Sequence, residues 1–305
     1  MSLSTPALLA SLWRLAWPAI VRNSLNCAAD RLTLAFVGHY DHDKEHYDGA
    51  GLGKMYSNIT GLSIGLGACL GLATLCSQAH GAGRSKQVNG LYLRRCAVVL
   101  VFAFAYSAAA ALLCERVLVA ISQPAGVARC SARYAQVQLI GVPFFWASQA
   151  VQTVCDGLQD TRPGMYAGLV SAAVQVVLCA VAVHPAVLDL GYLGMAAARS
   201  AGGVVQLCVL CGIVIAQGRQ AMVWQMPRAA AVDSAHDGAH DSAHYGAHAS
   251  SQRDRVASGA DRVGSDRVLS GAGLRQFLCV AWPSAMMMWL EWWSFEGERV
   301  PLECH

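Results

Sequence analysis

The sequence predicts an all-α membrane protein: a polytopic helix bundle with one complete six-helix lobe and the start of a seventh helix. Hydrophobic residues make up 55% of the chain and charged residues only 13%, well below the roughly one quarter that soluble domains carry. The apolar residues form runs that can cross a bilayer core of about 30 Å, which takes roughly 20 helical residues. Because backbone polar groups in lipid must be bonded internally, these runs are predicted to be helices.

Seven apolar runs define the predicted helices. Six follow one another closely, and the seventh comes after a long polar stretch. The runs cover residues 7–37, 51–78, 89–119, 130–155, 163–183, 193–217 and 274–296. This order predicts a first lobe of six transmembrane helices at 1–224, a disordered, low-complexity cytoplasmic linker at 225–272, and the start of a second lobe at 273–305.

The residues within the runs support the helices in order. Helix 1 contains Pro18 near its start, as membrane helices often do. Helix 2 is rich in glycine from Gly61 to Gly71, and helix 3 has four alanines at 108–111; such small residues permit close helix approach. Most of the 12 cysteines lie in or at the ends of the runs and act as small hydrophobes. Cys208 and Cys211 of helix 6 have CxxC spacing without a second pair, so we predict no metal site.

Helices 1 and 7 share a short repeat that suggests two equivalent halves. Ala16-Trp17-Pro18 recurs as Ala281-Trp282-Pro283, each time at the start of an apolar segment. The same shift of 265 positions places Asn26 opposite Glu291. Repeated halves are typical of secondary transporters, although chance also explains a proline near the start of two membrane helices.

The distribution of basic residues predicts the orientation. Arg84 and Lys86 follow helix 2, and Arg162, Arg219 and Arg228 lie in later loops on the same side. Basic loops are retained in the cytoplasm, so the N-terminus is predicted to be cytoplasmic. The sequence is compatible with a location in either the plasma membrane or the vacuolar membrane.

The linker has two repeated units. His236, His240, His244 and His248 recur every four residues, and Asp-Arg-Val then occurs three times between 254 and 268. This composition is typical of a tandemly expanded disordered segment. A helix would place the four histidines on one face and could bind a metal, but the interspersed glycines disfavour it.

Charged residues inside the first six helices are predicted to be structural. A charge at mid-bilayer costs about 2.5 to 3.5 kcal/mol, so each requires a compensating contact. Asp30 and Arg31 are expected to pair with other residues of the bundle, and Lys54 to extend to the membrane interface. Arg22 and Arg199 belong to the same group.

Helix 7 has the strongest candidate site, the segment Trp289-Leu290-Glu291-Trp292-Trp293-Ser294-Phe295-Glu296. Apolar rings around a carboxyl favour its neutral form, so that it can take up and release a proton. The aromatic rings can hold an organic cation through cation–π contacts. An interfacial aromatic belt with solvated carboxylates is the alternative.

Several ordered segments resemble the multidrug and toxic compound extrusion (MATE) family, in its eukaryotic branch. The resemblance extends from about Leu12 to Glu296 and is carried by blocks in the expected order: Phe36-Val37-Gly38-His39, Asn58-Ile59-Thr60-Gly61, Cys76-Ser77-Gln78-Ala79-His80-Gly81-Ala82, Leu158-Gln159 through Arg162-Pro163, Pro283-Ser284-Ala285, and Glu291 to Glu296.

The resemblance implies a twelve-helix antiporter that exchanges protons, or sodium in some members, for organic cations and xenobiotics, without a bound cofactor. Glu291 and Glu296 resemble the ion-coupling carboxylates, and Trp292 and Phe295 the substrate-binding aromatics beside them. Asn58 and Asn23 are similar to polar cavity positions of the first lobe. Four further positions resemble gating or packing residues: Gly38, Gln78, Pro18 and Pro283.

The chain departs from the family after helix 7, where the family continues apolar and this sequence turns to Gly297-Glu298-Arg299. The resemblance therefore implies a C-terminally truncated member, that is, an incomplete fragment of an antiporter. Because most of the second lobe is missing, a second hypothesis is a non-transporting membrane protein that pairs with or regulates full-length relatives. We expect no enzyme, because no nucleophile, metal or cofactor constellation stands out. The net charge of +3 reflects loop arginines, so the predicted partners are lipid and a small organic cation or xenobiotic, and not nucleic acid.

Overall fold

A computed structural model describes residues 5–185, 187–224 and 271–297, and it confirms the predicted all-α helix bundle. Within these ranges the chain forms ten α-helices and one π-helical turn, Asn58–Leu62. The helices are α1 (Thr5–Tyr40), α2 (Lys44–Ser57), α3 (Ser63–Gly81), α4 (Ser85–Ala120), α5 (Ala125–Leu139), α6 (Val142–Gly157), α7 (Arg162–Val183), α8 (Tyr192–Ala216), α9 (Gln220–Val223) and α10 (Gly271–Gly297). The predicted linker lies outside the described residues, except for its last two, which begin α10.

The second membrane crossing is one continuous stretch of 38 residues, Lys44–Gly81, made of α2, the π turn and α3. It begins seven residues before the predicted start at 51, because the Asp43 side chain accepts a hydrogen bond from the Glu45 backbone N–H at 3.0 Å and caps the helix. In the π turn, the Ser63 backbone N–H bonds to the carbonyl of Asn58, five residues earlier. The helical axis is therefore locally irregular in the middle of the crossing.

Hydroxyl groups accompany this irregularity. Ser57, Thr60 and Ser63 each donate to the carbonyl four residues earlier, at 2.8, 2.7 and 2.6 Å. Such side-chain bonds compete with the backbone ladder and bend helices. Three of them on successive turns flank or lie within the π segment.

The fourth crossing is interrupted at Ile140 and Gly141, between α5 and α6. Gly141 lies against Ser200 of α8, and any Cβ at this position would collide with it. Pro143, the second residue of α6, lacks the N–H that would continue the helix. The prediction of one unbroken helix at 130–155 was therefore wrong at this point.

Four helical stretches in the described ranges are both long and apolar enough to cross a membrane: Lys44–Gly81, Val88–Ala120, Arg162–Val183 and Tyr192–Ala216. The 36-residue α1 is long enough, but it also carries Arg22, Asp30 and Arg31. The pair α5–α6 is divided into two shorter segments, and α10 contains Arg275 and Glu291 among its apolar residues.

The core has two main apolar clusters. One lies between α3, α6, α8 and α10 and includes Leu72, Val154, Leu210 and Phe277. The other joins α1, α5, α7 and α8 through Val37, Tyr134, Cys179 and Met195. Because α10 shares the first cluster with α3, the seventh crossing packs directly on the first lobe.

Candidate functional site

A charged cluster joins four helices of the first lobe. The Asp30 carboxylate of α1 lies 2.5 Å from a guanidinium nitrogen of Arg199 (α8) and 3.1 Å from Nζ of Lys54 (α2). Gln175 of α7 donates to the same carboxylate at 3.2 Å. We call Asp30, Lys54, Gln175 and Arg199 the Asp30 cluster. Each helix supplies one polar side chain, so the cluster ties these four helices together.

The Asp30 cluster confirms one structural prediction and corrects another. Asp30 pairs within the bundle, as expected, whereas Lys54 was expected to extend to the membrane interface and instead contacts Asp30. The carboxylate provides a charge partner 3.1 Å from the Lys54 ammonium. The Asp30, Lys54 and Arg199 side chains keep exposed fractions of 25%, 17% and 19%, so the cluster is mostly buried.

Two small cavities lie beside this cluster, where the backbone is irregular. One is lined by Arg199, Ser200, Leu62, Gln138 and residues of the α5–α6 break. The other is lined by hydroxyl-bearing residues of the second crossing and α4, Tyr56, Ser57, Thr60 and Ser107, together with Gln138. Both cavities share Gln138 and Val142, so they adjoin between the π turn and the α5–α6 break.

This region contains three of the buried polar atoms that have no hydrogen-bond partner in the described part of the chain. Among the described residues, Tyr134 Oη and Gln138 Oε1 are buried without a hydrogen-bond partner, and Asn58 Oδ1 is in the same state. A buried polar atom without a partner costs about 1 to 3 kcal/mol. Water or a ligand would compensate for this cost, which makes the interior of the first lobe a candidate binding region.

A second group of ion pairs lies between α1, α6 and α7. Arg22 is 3.7 Å from Asp156 and also reaches the Gln152 side chain. The Arg22 side chain packs against the glycines of α7, since a Cβ added at Gly168 would lie only 2.9 Å from Arg22 Cγ. Nearby, Asp160 pairs with Arg219. Here the two carboxylates and two arginines balance, so this group holds the crossings together without excess charge.

The two asparagines predicted to line the cavity have different environments. Asn58 begins the π turn and is buried, with 3% of its surface exposed. Asn23 of α1 is exposed. Of the two, the structure places only Asn58 inside the first lobe; substrate contact by either stays a prediction.

On α10 the structure describes part of the predicted site. Glu291 is exposed and Trp292 is half-buried, with its ring N–H directed at the Met288 sulfur, 3.1 Å away. The Trp289 and Trp293 rings meet edge to face, with centroids 5.8 Å apart. The side chains of Phe295 and Glu296 lie outside the described residues. Glu291 thus has tryptophans two positions before it and one and two positions after it on the same helix.

The predicted gating or packing residues also differ from one another. Gly38 packs on Tyr47, since a Cβ would lie 3.0 Å from its ring. Pro18 is buried, whereas Pro283, its counterpart in the repeat, and Gln78 are exposed. Their roles in transport stay predictions.

Sequence reasoning missed the cavities around Gln138. Two sequence signals were present: the Gly141-Val142-Pro143 sequence, typical of a helix break, and the cluster of hydroxyl residues at 57–63. The contact between Asp30 and Arg199 joins residues 169 positions apart, so local patterns could not show it.

Comparison with known proteins adds independent information. The family model described as MatE matches residues 18–181. The chain is 24% identical to protein DETOXIFICATION 16 of Arabidopsis thaliana, over 93% of this chain and 49% of that protein. It is also 24% identical to multidrug and toxin extrusion protein 2 of Oryctolagus cuniculus, over 94% of this chain and 40% of that protein.

The fold also matches a solved structure. The eukaryotic MATE transporter AtDTX14 superposes with a TM-score of 0.70 at 21% identity, covering 94% of this chain and 55% of that one. At this identity the match shows the fold alone. The chain spans about half the length of the relatives that it matches.

Proposed function

The chain belongs to the MatE family, and on this premise we propose that it forms the first lobe, and the start of the second, of a secondary antiporter. The antiporter would export organic cations and other xenobiotics in exchange for protons. The chain is an integral, multi-pass membrane protein. The names of two relatives, a multidrug and toxin extrusion protein and a DETOXIFICATION protein, support xenobiotic efflux.

The observation that carries the proposal is the position of Glu291. Its carboxylate is exposed on α10, on a helix that packs along α3 of the first lobe, and tryptophans precede and follow it. An exposed carboxylate beside aromatic rings can exchange a proton with water and can also attract an organic cation. Proton and drug would therefore compete for the same group, which is the requirement for exchange.

The packing of α10 on α3 supports a moving interface between the lobes. Gly67 and Gly71 of α3 face Ala285 and Ala281 of α10, so the two helices approach closely on small residues. Alternating access needs two lobes that rock against each other around the binding site. We propose transport for the protein with both lobes, because its relatives are about twice as long.

Uptake of a fluorescent organic cation into vesicles tests the proposal. Wild-type protein with both lobes should move the dye when a pH gradient is imposed, and Glu291→Gln should reduce uptake to the level of protein-free vesicles, because an amide cannot exchange a proton. Glu115→Gln is a matched control: Glu115 is a half-exposed carboxylate on α4, 3.8 Å from Arg129, and its loss should leave uptake unchanged.

Two results would contradict the proposal. Unchanged uptake by Glu291→Gln would exclude Glu291 as the coupling residue. Uptake driven by a sodium gradient at equal pH, with none driven by a pH gradient, would replace the proton with sodium as the coupling ion.

A further inference from the structure

A histidine at the junction of α1 and α2 lies between two carboxylates. The ring nitrogen Nδ1 of His46 is 3.0 and 2.9 Å from the two carboxylate oxygens of Asp41, and the other ring nitrogen, Nε2, is 3.9 Å from the Asp43 carboxylate. Histidine is the side chain that changes charge between about pH 5 and 8. The contacts at this junction therefore depend on pH.

Protonation of His46 adds a contact to Asp43. Because an ionised carboxylate only accepts hydrogen bonds, the neutral ring keeps its proton on Nδ1, where it donates to Asp41, and Nε2 has only a lone pair. The imidazolium has a second N–H, at Nε2, which attracts the Asp43 carboxylate. Asp43 can make this contact and still cap α2, since its Oδ1 accepts from the Glu45 backbone N–H and its Oδ2 faces His46.

The same residues contact the start of α8. The His46 ring lies against the Tyr192 ring, with centroids 4.7 Å apart, and a charged imidazole is attracted to an aromatic face. The mostly buried Asp41 carboxylate lies against Gly191, where a Cβ would be 2.9 Å from its Oδ2. Gly191 also has a positive φ of 53°, which favours glycine. We call Asp41, Asp43, His46, Gly191 and Tyr192 the His46 cluster.

The other charged and titratable groups beside the cluster involve α5. Cys130 and Arg133 interact electrostatically with Tyr192. Arg133 is exposed, so water and salt screen its positive charge, and the two carboxylates dominate the surroundings of the imidazole. Glu45, the residue before His46, packs instead on the first turn of α5, where its carboxylate occupies the position of a Gly126 Cβ.

We propose that the His46 cluster is a pH-sensitive contact that holds the start of α8 against the junction of α1 and α2 when His46 is protonated. At higher pH the contact with Asp43 and the attraction to Tyr192 weaken, and the two segments separate more easily. The Asp30–Arg199 pair also joins α1 and α8, farther along both helices, so the separation is confined to this end of the lobe. The inference goes beyond the proposed transport function and does not depend on Glu291.

Hydrogen–deuterium exchange of the full chain in lipid nanodiscs tests the proposal. Mass spectrometry follows backbone exchange in segments 41–48 and 188–195 at about pH 5.5 and about pH 8, near the two ends of the range in which histidine changes charge. After correction for the intrinsic pH dependence of amide exchange, protection of both segments in wild-type protein should be about threefold greater at the lower pH, as one partly exposed ion pair allows.

Three variants identify the source of this ratio. His46→Gln cannot be protonated, so the ratio of protection should fall to about one in both segments. Asp43→Asn should remove most of the pH dependence, because asparagine also caps helices well but gives Nε2 no carboxylate. His39→Gln is the matched control: His39 is an exposed histidine in the last turn of α1, outside the cluster, and its substitution should keep the threefold ratio.

The outcomes also separate this inference from the transport proposal. Equal corrected protection of wild-type protein at both pH values would overturn the inference, and so would a threefold ratio that persists in His46→Gln or in Asp43→Asn. A pH dependence confined to segment 41–48 would overturn it as well, because the cluster would then not hold α8. If the exchange ratio is as expected but a pH gradient drives no dye uptake, the His46 cluster stands and the antiport proposal fails.

Discussion

Asp30 in the first lobe and Glu291 on α10 are both carboxylates in membrane helices, yet their surroundings are opposite. Asp30 is held by side chains of three other helices at distances of 2.5 to 3.2 Å. Glu291 is exposed and has aromatic residues beside it. The comparison teaches that one carboxylate belongs to the architecture of the lobe, while the other is exposed on the surface of its helix. The same carboxylate-to-amide substitution should therefore affect folding at one position and transport at the other.

The largest effect is expected for Asp30→Asn. The substitution removes the carboxylate that both Lys54 and Arg199 contact, and breaking a buried ion pair costs about 3 to 5 kcal/mol. Because the cluster is partly exposed, we expect a loss near 3 kcal/mol in the free energy of unfolding. Thermal unfolding in detergent, followed by size-exclusion chromatography, measures it. Asp30→Glu is the control and should lose less free energy of unfolding, because it keeps a carboxylate. If Asp30→Asn were as stable as wild type, Asp30 would be no more structural than Glu291.

A smaller effect is expected where α10 meets the first lobe. Gly67→Ala inserts a methyl group against the Ala285 backbone, which should lower stability by about 2 kcal/mol. Gly212→Ala is the matched control, because a Cβ at Gly212 of α8 has nothing within 4 Å. Equal unfolding temperatures for the two variants would show that α10 is not packed on α3, and the surroundings of Glu291 would then need a different description.

Tyr134→Phe should change stability still less. The hydroxyl has no hydrogen-bond partner among the described residues, so its removal leaves no new unpaired atom and should keep the free energy of unfolding within about 1 kcal/mol of wild type, or raise it. A larger loss in ligand-free protein would indicate that this hydroxyl is a structural member of the Asp30 cluster.

The smallest effect on stability is expected for Glu291→Gln. Substitutions at exposed positions usually stay within about 0.5 kcal/mol of wild type, and Glu291 is exposed. The unfolding temperature should thus match wild type while pH-driven uptake is lost. A marked loss of stability would place Glu291 with Asp30, as a structural carboxylate.

The helices were predictable because a membrane crossing requires about 20 apolar residues in succession. Lys44 to Ala50 were missed because they are mostly polar, and their helix depends on the Asp43 cap and on packing. For example, Gly49 and Gly53 of α2 fit closely against Cys130 and Ser131 of α5. The apolar pattern alone carries no information about such contacts.

The candidate site was predictable in part. Glu291 and its aromatic neighbours stand out because carboxylates are rare in apolar runs. The partner of Lys54 could not be foreseen, because Asp30 is on another helix and sequence spacing does not report distances between helices. The cavities at Gln138 arise where two irregular backbone segments adjoin, and each segment is visible in the sequence only as a weak local signal.

The π turn at Asn58–Leu62 also sets the phase of the second crossing. A π turn contains one more residue than an α-helical turn, and one residue corresponds to a rotation of about 100°. Residues before the turn, such as Lys54, point toward the Asp30 cluster, and residues after it, such as Gly67 and Gly71, face α10. Deleting one residue here would rotate α3 by about 100° about its own axis and turn its glycines away from α10. A single extra residue thus allows the same crossing to contact Asp30 near one end and to pack against α10 near the other.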